Sequence, residues 1–141
     1  MSDIIPAVGY VKDTGTSKGR GVFTARKITA GEIVEACPVI VFKAVWEALP
    51  LELQFMVCDW SYYAKQESGL YGVMLGFGSM YNHNNPANLR CHALAGPGIM
   101  QFIAARDIAV GEELTINYNE TEDGITSTDD AWFQATGITP V

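Results

Sequence analysis

Three short segments, in a fixed order along the chain, constrain its fold more than any other feature. Gly19-Arg20-Gly21-Val22-Phe23 comes first, Tyr81-Asn82-His83 lies in the middle, and Gly111-Glu112-Glu113-Leu114-Thr115-Ile116-Asn117-Tyr118 comes near the end. Each segment alone is common, because glycine pairs are typical of tight turns. The first segment is not a dinucleotide fingerprint, since it lacks the third glycine and a strand rather than a helix follows it. The order and spacing of the three therefore carry the information.

The stretches between these segments predict a mostly β chain. Short apolar or alternating runs predict strands at 8–12, 21–25, 33–42, 89–94, 100–106 and 114–118, with a hairpin connection at 95–98. Pro38, inside the third run, indicates an edge position, a bulge or two short strands. Apolar residues at helical spacing from about Pro50 to Tyr63 predict the main helix. A second, short helix is predicted at 129–135, with Thr128 or Asp129 as its cap.

The composition indicates a single domain that spans residues 1–141. The chain is 48% hydrophobic, which is enough apolar material for a sizeable core. It has no run of about eighteen apolar residues, so we expect no membrane span. Its N-terminus lacks a basic region followed by an apolar one, so no secretory signal is visible. We therefore expect a cytoplasmic protein, or one secreted into a host by a route without such a signal. The oligomeric state stays open.

The acidic charge is concentrated near the C-terminus. The net charge is −7, and no lysine or arginine follows Arg106. This balance argues against direct binding to nucleic acid, which depends on neutralising phosphates. It suits a basic protein partner, for example a lysine-rich peptide drawn in electrostatically. The other interpretation is that these acids only keep the surface soluble.

The cysteines and histidines do not predict a metal site. Cys37, Cys58 and Cys91 are widely spaced, and none belongs to a Cys-x-x-Cys pair. We therefore expect neither a disulfide framework nor structural zinc, but buried, idle thiols in a reducing compartment. His83 and His92 are the only histidines, and His83 has no second ligand at metal spacing.

Taken together, the three segments resemble the SET domain, the fold of protein lysine methyltransferases that use S-adenosylmethionine. The resemblance covers about residues 10–118 and implies several short twisted sheets, a knot-like C-terminal crossing and one or two short helices. It is closest in kind to minimal bacterial and viral members, because cysteine-rich flanking segments are absent. Residues 119–141 would then form an aromatic closing segment. The chain departs from the family pattern after the Asn-His pair: Asn84 replaces a serine, Pro86 comes one position early, and Asn88 is in register.

The resemblance also implies which residues bind the cofactor S-adenosylmethionine. Glycines in the first segment would allow the backbone to approach the cofactor closely. In minimal members a C-terminal aromatic packs on the adenine, which makes Trp132 the predicted lid and Phe133 the alternative. A hydrophobic anchor that pins the tail is the other interpretation of this pair. The predicted cofactor-binding residues are Lys18, Gly19, Arg20, Gly21, Tyr81, Asn82, His83, Tyr118, Trp132 and Phe133.

The terminal tyrosine of the third segment, Tyr118, is the catalytic residue that the resemblance implies. A free lysine amine has a pKa of about 10.4, yet only the neutral amine can attack a methyl group. A narrow apolar channel disfavours the ammonium, and a phenol with backbone carbonyls can orient the amine. The predicted channel residues are Tyr63, Tyr71, Tyr81 and Ile116. Ile116 stands where many relatives carry Phe or Tyr, so the number of methyl groups added stays open.

The implied function is therefore protein lysine N-methylation, acting on a lysine-containing and basic protein. Two other classes of function stay open. A catalytically inactive SET-like module could bind peptide or cofactor, although the presence of Asn82, His83 and Tyr118 speaks against it. A small-molecule methyltransferase is disfavoured, because the chain has no nucleotide-binding βαβ pattern. The other interpretation of Tyr118 itself is an ordinary half-buried strand tyrosine.

Overall fold

The computed structural model describes residues 3–119, 121 and 123–137. Within them the elements follow in this order: β1 (Gly9–Asp13), β2 (Arg20–Thr24), β3 (Ile33–Lys43), a 3-10 turn (Trp46–Ala48), α1 (Leu51–Gln54), β4 (Val57–Cys58), α2 (Trp60–Ala64), β5 (Leu70–Met74), β6 (Asn82–His83), β7 (Leu89–Leu94), β8 (Ile99–Ala104), β9 (Glu113–Ile116) and α3 (Ala131–Thr136). The prediction of a mostly β chain is confirmed, as is the hairpin of β7 and β8.

One sheet brings the three segments together. Its strand order is β1-β2-β9-β6, so the strands of the first, third and second segments are neighbours. β2 pairs antiparallel with β9, where Val22 lies opposite Leu114. β6 pairs parallel with β9, and His83 lies opposite Ile116. Residues far apart in sequence therefore lie side by side on one sheet.

The second sheet has the order β4-β5-β3-β8-β7 and contains the long strand β3. β3 pairs with β8 up to Pro38 and with β5 from Val39 onwards. Pro38 is tolerated because it stands where the strand changes partner, and a residue without an N–H group interrupts little there. Of the three alternatives that Pro38 left open, two short strands is excluded, since β3 is continuous. A register shift does occur, but between Ile33 and Glu35.

The expected helix from Pro50 to Tyr63 was wrong in extent. The structure has two separate helices there, α1 and α2, with the short strand β4 between them. Val57 pairs with Val73 and Cys58 with Gly72, so sheet pairing overrides the helical periodicity. Asp59 then caps α2, because its carboxylate accepts a hydrogen bond from the Tyr62 N–H group at 3.1 Å.

The ends of two other elements differ from expectation. β9 stops at Ile116, which leaves Tyr118 in the connection beyond the strand. α3 begins at Ala131, whose N–H group donates to Asp129 Oδ1 at 3.2 Å. Glu120 and Glu122, two members of the acidic stretch, lie outside the described residues.

The hydrophobic core includes one buried thiol, that of Cys37, while Cys58 and Cys91 are half-buried and pack against the core. Cys37 is buried, and desolvation raises the pKa of its thiol to about 12, which fits an idle thiol. No helix among the described residues is long and apolar enough to cross a membrane. The largest fully buried side chains include Trp60, Tyr81, Phe102, Ile28, Leu89, Met100 and Leu114.

Candidate active site

Tyr118 is held at both its backbone and its hydroxyl by the middle segment. Its N–H group donates to His83 Nδ1 at 3.0 Å, and its hydroxyl donates to the Tyr81 carbonyl oxygen at 2.6 Å. Burial, and to a smaller extent the charge of Glu113, raises the pKa of the Tyr118 phenol to about 12. The phenol is therefore neutral near pH 7. Because its hydrogen is donated to Tyr81, its oxygen is left to act as an acceptor.

The surroundings of the His83 ring determine both its protonation state and the nitrogen that carries its proton. It is only 9% exposed, and burial is the main cause that lowers its pKa. The charge of Lys18 lowers it further, while Asp130 opposes the shift. Since Nδ1 accepts the Tyr118 N–H group, the ring proton of the neutral form is on Nε2. The His83 carbonyl oxygen accepts from Lys18 Nζ at 2.9 Å.

Asn82 joins the first and third segments. Its Nδ2 donates to the Arg20 carbonyl oxygen at 2.9 Å and to Glu113 Oε2 at 2.7 Å. A Cβ atom on Gly21 would meet Glu113 Oε2 in direct collision and would lie 2.9 Å from Asn82 Nδ2. Gly19 has φ +74°, which favours glycine in the turn. Neighbouring side chains therefore exclude a side chain at Gly21, and the backbone conformation favours glycine at position 19; the close approach of a cofactor to these glycines stays a prediction.

The two aromatic residues of α3, Trp132 and Phe133, pack against different residues of the site. Phe133 is buried, and its ring meets that of His83 edge-on with centroids 4.8 Å apart. Trp132 meets Tyr118 edge-on, also at 4.8 Å. The backbone N–H group of Trp132 also donates to Asn119 Oδ1 at 3.0 Å, which connects α3 to the segment after β9. The lid role of Trp132 stays a prediction, and Phe133 is the one of the two that contacts His83.

A narrow cavity of about 60 Å³ opens beside Tyr118. Of the four predicted channel residues, Tyr63, Tyr81 and Ile116 line it. Tyr71 does not, and lines the neighbouring cavity instead. The remaining walls of the narrow cavity are mostly apolar or sulfur-containing: Phe55, Met56, Val57, Cys58, Met74, Cys91, Met100 and Trp132.

The comparison with protein families decides what this arrangement is. The SET domain family matches residues 19–119, which include all three segments. The chain belongs to the SET domain family. A curated relative from Schizosaccharomyces pombe (strain 972 / ATCC 24843), named histone-lysine N-methyltransferase, H3 lysine-37 specific, is 33% identical over 110 residues. That alignment covers 78% of this chain and 72% of the relative.

Solved structures show the same SET fold. A candidate histone methyltransferase of Plasmodium falciparum matches with a TM-score of 0.64 at 24% identity, over 84% of this chain and 98% of that one. CpSET8 from Cryptosporidium matches with a TM-score of 0.58 at 22% identity, over 82% of this chain and 59% of that one. At these identities the likeness extends to the fold alone.

The sequence did not identify Glu35, a buried residue that binds the Tyr81 side chain of this SET domain's site. Glu35 is 2% exposed, and its carboxylate accepts from the Tyr81 hydroxyl at 2.5 Å and the Phe77 N–H group at 2.9 Å. Burial raises the pKa of Glu35, although both hydrogen bonds oppose the shift. The carboxylate therefore fixes Tyr81, whose carbonyl receives the Tyr118 hydroxyl. A charged residue inside the apolar run 33–37 was the available signal.

Asn88, the residue that is in register after the departure from the family pattern, is bonded to strand β9. Its Nδ2 donates to the Glu113 carbonyl oxygen at 2.8 Å, and its Oδ1 accepts from the Thr115 N–H group at 2.8 Å. Asn88 is 4% exposed, so these bonds satisfy a buried amide. The residue that kept its register thus holds β9, the strand that leads to Tyr118.

Proposed function

We propose that this chain is a protein lysine N-methyltransferase that transfers a methyl group from S-adenosylmethionine to a lysine side-chain amine. The observation that carries the proposal is the placement of Tyr118. Its neutral hydroxyl is anchored on the Tyr81 carbonyl and borders a narrow, largely apolar cavity. Membership of the SET domain family and the similarity to a histone-lysine methyltransferase support the same reaction.

The groups around Asn82 and His83 fit the cofactor chemically. Lys18 and Arg20 supply positive charge for an α-carboxylate, and the Asn82 Oδ1 atom can accept from an ammonium. His83 Nε2 and the Phe133 ring lie together, as a partly polar and partly aromatic surface suited to an adenine. When bound, S-adenosylmethionine supplies an electrophilic methyl group on a sulfonium.

The chain's own residues prepare the lysine. A cavity with apolar walls desolvates the amine and thereby lowers its pKa, which favours the neutral nucleophile. The Tyr118 oxygen accepts a hydrogen bond from the amine and orients its lone pair, because the phenol hydrogen is already donated. His83 does not serve as the base at Nδ1, since that atom accepts the Tyr118 N–H group. In this proposal the amine loses its proton to solvent before the transfer, so that the neutral form attacks the methyl group.

The substrate is a lysine-containing, basic protein. The net charge of −7 favours encounter with a positively charged partner. The curated relative is named for a lysine of histone H3, so a histone tail is the first substrate to test.

Incubation of the purified protein with methyl-labelled cofactor tests the proposal. Histone H3 and a whole-cell lysate would serve as substrates, and mass spectrometry would locate the label. We expect methylated lysine, with none formed when heat-denatured protein is used. Cofactor binding without any labelled product would favour the inactive binding module. Label on small molecules alone would favour a different class of methyltransferase.

A further inference from the structure

A second cavity, of about 240 Å³, opens next to the narrow one. The two share Val57, Tyr118 and Trp132, so a substrate whose lysine enters the first lies against the second. The second cavity is lined by Trp46, Val57, Asp59, Tyr71, Tyr118, Asn119, Ala131, Trp132 and Ala135. Asp59 supplies the single carboxylate of this lining, which contains neither lysine nor arginine.

Asp59 is a half-buried carboxylate with one oxygen uncommitted. Its Oδ1 accepts from the Tyr62 N–H group, which caps α2. Oδ2 has no hydrogen bond or ion pair with any residue in the part of the chain that the structure describes, where the ion pairs are Arg26 with Glu32 and Arg106 with Glu112. A half-buried carboxylate that shares a cavity lining with aromatic rings attracts a cation more strongly than the same groups in open water do.

We infer that this cavity binds the guanidinium of an arginine that lies within two positions of the target lysine. The inference rests on the proposed function and adds a substrate feature to it. Trp46, Asp59, Tyr71 and Trp132, named here the cation pocket, provide aromatic surface together with one carboxylate. A guanidinium matches that combination better than an ammonium, because it is planar, stacks on rings and donates to a carboxylate through a fork.

The spacing of an extended peptide sets the position of the arginine. Side chains advance by about 3.3 Å per residue and alternate between faces. The cavities are adjacent and share walls, so a side chain one or two residues from the lysine reaches the cation pocket. A residue farther along the peptide would pass beyond the shared walls.

Peptide binding tests the inference without requiring catalysis. The probes are fluorescently labelled peptides with one central lysine in an uncharged background, carrying arginine at one of the two positions on either side. Matched peptides carry citrulline, the uncharged analogue of arginine, at the same position. With cofactor present, fluorescence anisotropy should give about tenfold tighter binding for arginine at one position, which corresponds to about 1.4 kcal/mol.

Asp59→Asn tests the carboxylate itself. Asparagine is also a good helix cap, so α2 should be retained, which a thermal melt would verify. In this variant the ratio of arginine to citrulline affinity should fall to about one. Glu52→Gln, an exposed residue of α1 outside the cation pocket, removes the same charge and should keep the ratio of the wild type.

Two results would overturn the inference. Wild-type protein could bind arginine and citrulline peptides equally at all four positions, a comparison that needs no variant. Alternatively, Asp59→Asn could keep the full preference. Methyl transfer measured on the same peptides separates this inference from the function on which it rests. Transfer without an arginine preference removes the cation pocket alone. Arginine-dependent binding without transfer supports the pocket and counts against the methyltransferase.

Discussion

The hydrogen bond between Glu35 and Tyr81 gives a prediction whose size follows from the structure. Both residues are almost fully buried, and the bond is one of a neutral phenol to a carboxylate. Hydrogen bonds to charged groups contribute about 1.5–3 kcal/mol. We therefore expect a double-mutant cycle of Glu35→Gln and Tyr81→Phe, measured by urea denaturation, to give a coupling energy in that range. Each single change should also lower methyl transfer, because Tyr81 supplies the carbonyl that holds Tyr118.

The pH dependence of stability provides a second test of the same pair. Burial raises the pKa of Glu35 in the folded state, so the folded protein binds its proton more tightly than the unfolded chain does. This contribution to stability is complete below the unfolded value of about 4.5 and is lost as the pH rises through the folded pKa. Glu35→Gln cannot titrate, so the stability difference between wild type and variant should shrink over that window. A constant difference, or a coupling energy below about 0.5 kcal/mol, would refute this account of the network.

The remaining predictions concern His83, α3 and the first segment. Because burial lowers the pKa of His83, stability should fall as the pH drops below about 6.5, and His83→Gln should flatten that slope in denaturation curves. Phe133→Ala should lower the stability of the cofactor-free protein by about 3–5 kcal/mol, as expected for a buried aromatic. Trp132→Ala should lower stability less than Phe133→Ala does. If Trp132 is the lid, the change should weaken cofactor binding about five- to a hundredfold in calorimetric titrations. Unchanged affinity would leave Trp132 only as a wall of the cavity beside Tyr118. Gly21→Ala should lower the free energy of unfolding by about 1–3 kcal/mol in thermal melts, because its Cβ meets Glu113; a neutral effect would contradict the close packing of Glu113 and Asn82 against Gly21.

The sequence predicted the members of the site better than their contacts. Asn82, His83 and Tyr118 were identified through a family resemblance, and the parallel pairing of β6 with β9 explains why they meet. No local pattern contains that pairing, because the two strands are separated by β7 and β8. The structure adds that Tyr118 binds His83 and Tyr81 directly. The roles in binding and catalysis stay predictions.

Other features escaped the sequence for the same reason, which is that long-range partners decided them. Glu35 acquires its role from Tyr81, a residue 46 positions away. Val57 looked helical by spacing, but its pairing with Val73 made it part of a strand. No sequence pattern singles out Asp59, which lines a cavity with Trp132 only because the fold brings the two together. Glu113, which would collide with a side chain at position 21, lies 92 residues farther along the chain, so no local pattern around Gly21 contains this contact.

The most direct test of the central claim is methyl transfer by Tyr118→Phe beside the wild type. The variant keeps the ring that packs on Trp132 and removes only the hydroxyl oxygen that receives the amine. On a confirmed lysine substrate, the rate should fall by about two orders of magnitude while the fold is retained in thermal melts. The wild-type rate at low peptide concentration should rise from pH 7 towards about pH 9, because the neutral amine reacts. A variant with nearly wild-type turnover, or a wild-type rate that peaks near pH 6.5, would contradict the account.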